Sequence, residues 1–96
     1  MTYIKNSLSY TAITSNTTAV IGSHYSATNS ITLTLPAIAN SVLGDEIRVK
    51  NTGSGTITID SNSSETIDGS ASNYLLDVQH SAITLVSNGS TGWEII

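Results

Sequence analysis

Apolar and polar residues alternate strictly in three short runs of the sequence. In residues 31–35, isoleucine and leucine alternate with threonine, and Pro36 follows directly. Residues 46–50 and 56–60 repeat the pattern, with charged residues or threonine at the polar positions. Such alternation places apolar side chains on one face of a β-strand and polar side chains on the other. We therefore predict three strands, each with one face in the core.

The segment between the last two runs has the composition of a turn. Residues 51–55 read NTGSG, and both asparagine and glycine tolerate positive φ angles. Two alternating runs joined by about five residues that include glycine are typical of a β-hairpin. The sequence thus predicts that residues 46–50 and 56–60 pair as neighbouring antiparallel strands.

Other short β-type runs complete the chain, at residues 19–21, 66–67, 74–78, 83–86 and 93–96. About eight short strands, separated by turn residues at a spacing of roughly 8–12 positions, are typical of a sandwich or barrel. We predict an all-β fold, a single antiparallel β-sandwich that is jelly-roll-like or barrel-like. The predicted core residues are Ile31, Leu33, Leu35, Ile47, Val49, Ile57, Ile59, Ile83, Leu85 and Trp93.

The first 16 residues are polar and have no clear period. We predict that residues 1–16 form an N-terminal arm or an irregular edge strand, and that residues 17–96 form the sandwich domain. If the segment is an arm, its apolar anchors are Tyr3, Ile4, Leu8, Tyr10 and Ile13.

The composition excludes several classes of function. Serine, threonine and asparagine make up 38 of 96 residues, and the net charge is −4. With Lys5, Arg48 and Lys50 as the only basic residues, no nucleic-acid-binding surface can form. No apolar run approaches the roughly 18 residues of a membrane span. The absence of cysteine removes disulfides and most structural zinc sites. The first residues lack the apolar core of a signal peptide, so export through that route is not indicated.

Three residues that lie close together in the sequence are of the types found in a Ser-His-Asp catalytic triad. Asp77 and Ser81 lie close to His80 in the chain, but catalytic triads are recognised by geometry and not by sequence proximity. No strained nucleophile turn and no oxyanion loop accompany them, so we interpret His80 as a surface or edge-strand residue. We predict no catalytic residues and no cofactor.

Three carboxylates, Asp60, Glu65 and Asp68, cluster around one predicted turn. Residues 60–65 begin like a calcium-binding loop, but Glu65 occupies the sixth position, where that loop requires glycine. Paired carboxylates can also hydrolyse glycosides. We interpret the cluster as acidic residues on a solvated turn and predict no metal site.

The turns and aromatic residues offer a possible sugar-binding surface. Its loops would be residues 51–55, 62–64 and 88–92, and Trp93 or a tyrosine could stack on a sugar ring. A single tryptophan in an alternating strand is more often part of the core, and we place Trp93 there.

Taken together, several segments resemble a small β-sandwich module of tailed-bacteriophage virion proteins. This module occurs in head-decoration and head-fibre proteins and at the tips of tail fibres and tailspikes. The resemblance covers residues from about 17 to 96 and rests on the segments 31–36, 44–51, 55–59, 65–69, 83–89 and 93–96.

The resemblance implies a homotrimeric structural protein of the virion. Read as a complete gene product, 96 residues are too few for a tail fibre. The expected function is therefore capsid decoration: a cement or head-fibre protein that binds the major capsid protein on the capsid exterior, with the N-terminal arm in contact with that surface. The alternative is a tail-fibre-type adhesion module that binds a host-surface glycan.

Trimer formation would bury apolar residues that a core of this size leaves outside. The residues that we expect in the trimer interface are Val42, Leu43, Ile95 and Ile96.

Overall fold

The computed structural model describes residues 9–96. Within this range the chain forms ten β-strands and a short 3-10 helix, Ile38–Asn40. The strands are β1 Ser9–Ile13, β2 Thr17–Thr18, β3 Ser23–Ala27, β4 Thr32–Thr34, β5 Glu46–Asn51, β6 Ile57–Asp60, β7 Thr66–Ile67, β8 Tyr74–Leu76, β9 Ala82–Ser87 and β10 Gly92–Ile95. The prediction of an all-β fold is confirmed.

The strands form two sheets, and the first nine strands alternate between them. The larger sheet has the order β1-β3-β5-β9-β10-β7, and the smaller has the order β2-β4-β6-β8. Strands β1, β3 and β5 run parallel to one another, as do β2, β4 and β6. The first six strands therefore form a coil in which each turn contributes one strand to each sheet.

The direction of the chain within the sheets reverses after β7. Strand β8 pairs antiparallel with β6, and β9 pairs antiparallel with β5. Strand β10 then pairs antiparallel with β9 and parallel with β7. Both sheets are thus mixed, and the predicted purely antiparallel arrangement is wrong. A jelly roll or an up-and-down barrel consists of antiparallel strands, so the parallel coil differs from both.

The predicted hairpin at residues 46–60 is also wrong. Strand β5 belongs to the six-stranded sheet and β6 to the four-stranded sheet. The two strands alternate as predicted, with Ile47 and Val49 buried on one and Ile57 and Ile59 buried on the other. Their apolar faces therefore lie in different layers of the same core, and the segment between them crosses from one sheet to the other.

The core lies between the two sheets. Nine of the ten predicted core residues are buried, and Ile83 is half-buried and packs against them. Strand β3 also contributes, although its sequence, SHYSA, contains no aliphatic residue larger than alanine. Its inward positions are Ser23, Tyr25 and Ala27, all buried. The sequence pattern did not predict this strand because its core residues are small or aromatic. It predicted a strand at residues 19–21 instead, but residues 19 and 20 have no regular structure and Ile21 begins the turn before β3.

The N-terminal segment is an edge strand where the structure describes it. All five residues of β1 pair with β3, so Ser9–Ile13 belong to the six-stranded sheet and the domain begins before residue 17. Ile13 is buried in the core, which excludes it as an anchor for an outside surface. Tyr10 is 71% exposed on the same strand. Tyr3, Ile4 and Leu8 lie outside the described residues.

Candidate functional site

A groove crosses the outer face of the six-stranded sheet. Alternation along β3 and β5 directs Tyr25 and Val49 into the core, and the neighbouring His24 and Arg48 occupy the opposite face. Strand pairing then aligns side chains from four strands in one row. Its members, in order across the sheet, are Tyr10, His24, Arg48 and Thr84.

The row continues at the C-terminal residue. The backbone N–H of Ile96 donates to the carbonyl of Thr84 at 2.9 Å, which places Ile96 beside Thr84. Lys50 and Ala82 pair with each other one step along the strands and also line the groove. The groove encloses about 380 Å³, within the range of sites for small ligands.

The groove is the basic region of an acidic protein. Arg48 and Lys50 are the only two basic residues within residues 9–96, and both line it. All seven aspartate and glutamate residues of the chain lie outside its lining. Glu46 is the nearest along β5 and accepts a hydrogen bond from the Arg48 guanidinium at 3.1 Å. Both side chains of this ion pair are substantially exposed, so the pair contributes little to stability.

His24 also lines the groove, but one of its ring nitrogens is not accessible to a ligand. Its Nε2 is buried and has no hydrogen-bond partner among residues 9–96. Hydroxyl, aromatic, imidazole and cationic groups therefore lie within one row of side chains. Such a set can hydrogen-bond an oxygen-rich ligand and neutralise its negative charge.

The acidic turn has a structural role. Both carboxylate oxygens of Glu65 accept the backbone N–H of Ile38, at 3.1 and 3.0 Å. Oδ1 of Asp68 accepts the backbone N–H of Ile95 at 2.8 Å. Within residues 9–96, no three histidine, cysteine, aspartate or glutamate side chains come close enough together to bind a metal ion. Two of the three clustered carboxylates thus satisfy main-chain donors of other segments.

Replacing Glu65 by alanine should destabilise the protein. The Ile38 N–H lies at the start of the 3-10 helix, and Ile38 itself is buried. Loss of a charge-assisted acceptor there should lower the free energy of unfolding by about 1.5–3 kcal/mol. Urea denaturation measures the change. Glu94→Ala is the matched control, because Glu94 is exposed on β10 and should change the free energy of unfolding by less than about 0.5 kcal/mol. Equal effects of the two variants would contradict the role of Glu65.

The residues considered as a catalytic set do not form the hydrogen bonds of a triad. The Ser81 hydroxyl donates to the backbone carbonyl of Val78 and not to His80. His80 and Asp77 are exposed in the turn before β9, and no hydrogen bond joins their side chains in the described part of the chain. His80 has a φ angle of 70°, so it occupies a left-handed turn position.

Two of the three loops considered for sugar binding use their asparagine side chains internally. Oδ1 of Asn88 accepts the backbone N–H groups of Ser90, Thr91 and Gly92 at 2.9, 2.9 and 3.1 Å. Asn51 is completely buried. Trp93 is also completely buried, as its placement in the core predicted, and therefore cannot stack on a sugar.

The residues expected in the trimer interface fall into two groups. Val42, Leu43 and Ile96 are 68%, 76% and 80% exposed. Ile95 is half-buried and packs against the core of its own subunit. Three of the four side chains are therefore free to contact another molecule.

The sequence pattern did not predict the groove. It placed Arg48 and Lys50 on the outer face of a strand, but the neighbour that it predicted for that strand, residues 56–60, lies in the other sheet. Tyr10 and Thr84 are far apart in the sequence and meet only because β1, β3, β5 and β9 are adjacent in one sheet.

Comparison with protein-family models and with curated protein sequences gave no relative. No protein-family model matches the chain, and no curated protein sequence is significantly similar to it. Among residues 9–96 there is no helix with the length and hydropathy of a transmembrane segment.

Proposed function

We propose that the protein is a structural component of a bacteriophage particle that forms a homotrimer and binds the outer surface of the capsid. The resemblance of residues 17–96 to virion β-modules supports the location. Two unprotected sheet edges support the self-association.

Strands β1 and β8 are the unprotected edges. Among residues 9–96, each is the last strand of its sheet and pairs on one side only. The other two edge strands, β2 and β7, have only two residues each, and very short edge strands resist pairing with another chain. Monomeric proteins usually protect such edges with charged residues, proline or bulges. Neither SYTAI in β1 nor YLL in β8 contains a charge or a proline. Leu75 in β8 is 56% exposed, and Val78 just beyond it is also exposed. Both edges are therefore suited to pair with another chain.

The two edges belong to different sheets, so an interface that joins β1 of one subunit to β8 of the next is heterologous. Heterologous contacts form a closed ring when the rotation between subunits closes, and three subunits are sufficient for a ring. Pairing of this kind adds main-chain hydrogen bonds and covers Leu75. Val42 and Leu43 remain as exposed apolar residues for contacts between subunits or with the capsid, whereas Ile96 lines the groove.

The oligomeric state is tested by light scattering on the full chain and two edge variants. The wild type should have a mass of about 30 kDa, three times 10.0 kDa. Thr11→Lys in β1 and Leu75→Lys in β8 should each dissociate the trimer, because a lysine at an edge opposes strand addition. Thr58→Lys is the control, since Thr58 lies opposite Leu75 on β6, which already pairs on both sides.

A mixture of the two edge variants distinguishes a closed heterologous ring from a two-fold symmetric dimer. Each variant keeps one intact edge, so the mixture should form a one-to-one dimer of about 20 kDa, twice 10.0 kDa. A wild type that is monomeric at high micromolar concentration would refute the trimer. An Leu75→Lys variant that remains a trimer would refute the role of β8.

Attachment to the capsid is tested on purified particles of the phage that encodes the chain. Mass spectrometry should detect the protein in intact particles and in tail-less heads, and antibody labelling should mark the head surface. Deletion of residues 1–8 keeps β1 and tests the proposed contribution of Tyr3, Ile4 and Leu8 to binding. Absence of the protein from purified particles would refute the function, and undiminished head occupancy by the truncated protein would refute the arm.

A further inference from the structure

We propose that the groove on the outer face of the six-stranded sheet binds an acidic oligosaccharide, with Arg48 and Lys50 as the carboxylate-binding residues. This inference goes beyond the structural function above and does not depend on it. It rests on the charge distribution, the position of the groove and the kinds of side chain that line it.

The charge distribution favours an anionic ligand. Every basic residue within residues 9–96 lines the groove, and every acidic residue of the chain lies outside the lining. The Arg48–Glu46 ion pair involves Nε and one terminal nitrogen of the guanidinium, both directed to a single glutamate oxygen. Other guanidinium donors remain available for a carboxylate. Lys50 is exposed and makes no ion pair with the described residues.

The position of the groove favours a saccharide over a peptide. Peptides that bind sheets commonly pair with a free edge, where main-chain groups are available. Here the ligand would lie on a face, and the main chains of β3, β5 and β9 already pair on both sides. An acidic peptide would therefore find side chains but no main-chain partners.

The groove also has the length and side chains that a saccharide requires. Tyr10 and Thr84 lie on the first and the last of four adjacent strands. The distance across the row is therefore three strand spacings, about 14 Å, which is the length of a short oligosaccharide. Tyr10 offers an exposed aromatic ring, which suits the apolar face of a sugar. The Thr84 hydroxyl adds hydrogen-bonding capacity along the same row.

The proposed interface between subunits leaves the groove open. Strand addition at β1 takes place in the plane of the sheet, whereas the groove lies above that plane. A trimer would thus present three grooves on its outer faces, and multivalent display would raise the avidity for a surface with many copies of the ligand.

A glycan array with the full, untagged chain is the first experiment, since a C-terminal tag would extend from Ile96 in the groove. The array carries oligosaccharides that contain uronic acids or sialic acids, each beside its carboxyl-methyl-ester form. Calorimetry then measures the affinity for the strongest acidic oligosaccharide, for its ester and for a glutamate-rich peptide of equal charge. We expect the ester and the peptide each to bind at least about tenfold more weakly than the acidic oligosaccharide. The ester loses the charged hydrogen bond of the carboxylate, and the peptide loses the contacts of the sugar.

Variants assign the binding to the groove. Arg48→Ala with Lys50→Ala should weaken binding at least about tenfold. The control is the double variant Ala39→Asp with Ala71→Asp. It makes the net charge more negative by the same two units, but at exposed positions outside the lining of the groove. Tyr10→Ala should weaken binding about threefold or more, whereas Tyr74→Ala, on the other sheet, should have no effect. Circular dichroism confirms that each variant is folded.

Four results would overturn the inference: no acidic oligosaccharide bound at millimolar concentration, equal binding of acid and ester, equal binding of the glutamate-rich peptide, or unchanged binding by the Arg48–Lys50 double variant. None of these results affects the light-scattering test of the trimer or the detection of the protein in particles. Failure of the groove and failure of the structural function are therefore distinguishable.

Discussion

Replacing Trp93 by alanine is expected to lower the free energy of unfolding by about 3–5 kcal/mol, the usual cost of truncating a buried aromatic residue. Trp93 is the largest completely buried side chain among the described residues, and it lies in β10 between β9 and β7. A domain of 96 residues has a total stability of roughly 5–14 kcal/mol. The alanine variant should therefore lose a large fraction of its stability, measured by urea denaturation.

Replacing Trp93 by phenylalanine separates packing from hydrogen bonding. Nε1 of Trp93 is buried and has no hydrogen-bond partner among residues 9–96. The phenylalanine variant thus loses volume but no hydrogen bond, and it also removes an unsatisfied donor from the core. We expect a loss of about 1–2 kcal/mol, well below that of alanine. A phenylalanine variant as unstable as the alanine variant would contradict this account, and so would an alanine variant of nearly wild-type stability.

The sequence predicted which face of a strand is buried but not which strands are neighbours. Alternation depends only on adjacent residues, so Leu33, Val49 and Ile57 were correctly placed in the core. Pairing depends on contacts between distant segments. Strands β3 and β5 pair at Tyr25 and Val49, which are separated by a complete turn of the coil, and no local pattern specifies that register.

The turn at residues 51–55 shows why local chemistry gave the wrong connection. Glycine at position 55 was interpreted as a residue of a tight turn. In the structure, a Cβ atom added to Gly55 would lie 2.7 Å from the backbone carbonyl carbon of Asn29. This glycine is required because the segment that crosses between the sheets approaches the previous crossing closely. A hairpin turn and a close approach of two backbones both select glycine, so the sequence alone could not distinguish them.

The candidate site was less predictable than the core for the same reason. Each groove residue has an ordinary local explanation as the polar or exposed position of a strand. The groove follows only from the order of four strands, which brings Tyr10, His24, Arg48 and Thr84 into one row. By contrast, the loops proposed for sugar binding could be recognised by composition, yet Asn51 and Asn88 in these loops bind their own chain.

Replacing Asn51 by alanine is expected to lower the free energy of unfolding by about 3 kcal/mol or more, because it leaves several buried polar groups unpaired. Nδ2 of this buried asparagine donates to the carbonyls of Gly55 at 2.8 Å and Leu76 at 2.9 Å. Its Oδ1 accepts the N–H of Gly53 at 3.1 Å. One side chain thus holds the crossing segment in place and connects it to the end of β8, so its loss should loosen both.

The matched control is Asn29→Ala. The Asn29 side chain is exposed and donates to the carbonyl of Thr14 at 3.2 Å, which water can replace. However, Asn29 has a φ angle of 71°, so Asn29→Gly is added to separate backbone strain from the lost hydrogen bond. We expect the glycine variant to change the free energy of unfolding by less than about 1 kcal/mol.

Hydrogen exchange on the Asn51→Ala variant should show loss of protection at Gly53 first, because the Gly53 N–H loses its acceptor directly. Retained protection there, with a small loss of stability, would mean that the crossing is held by the packing of β5 and β6 and not by Asn51.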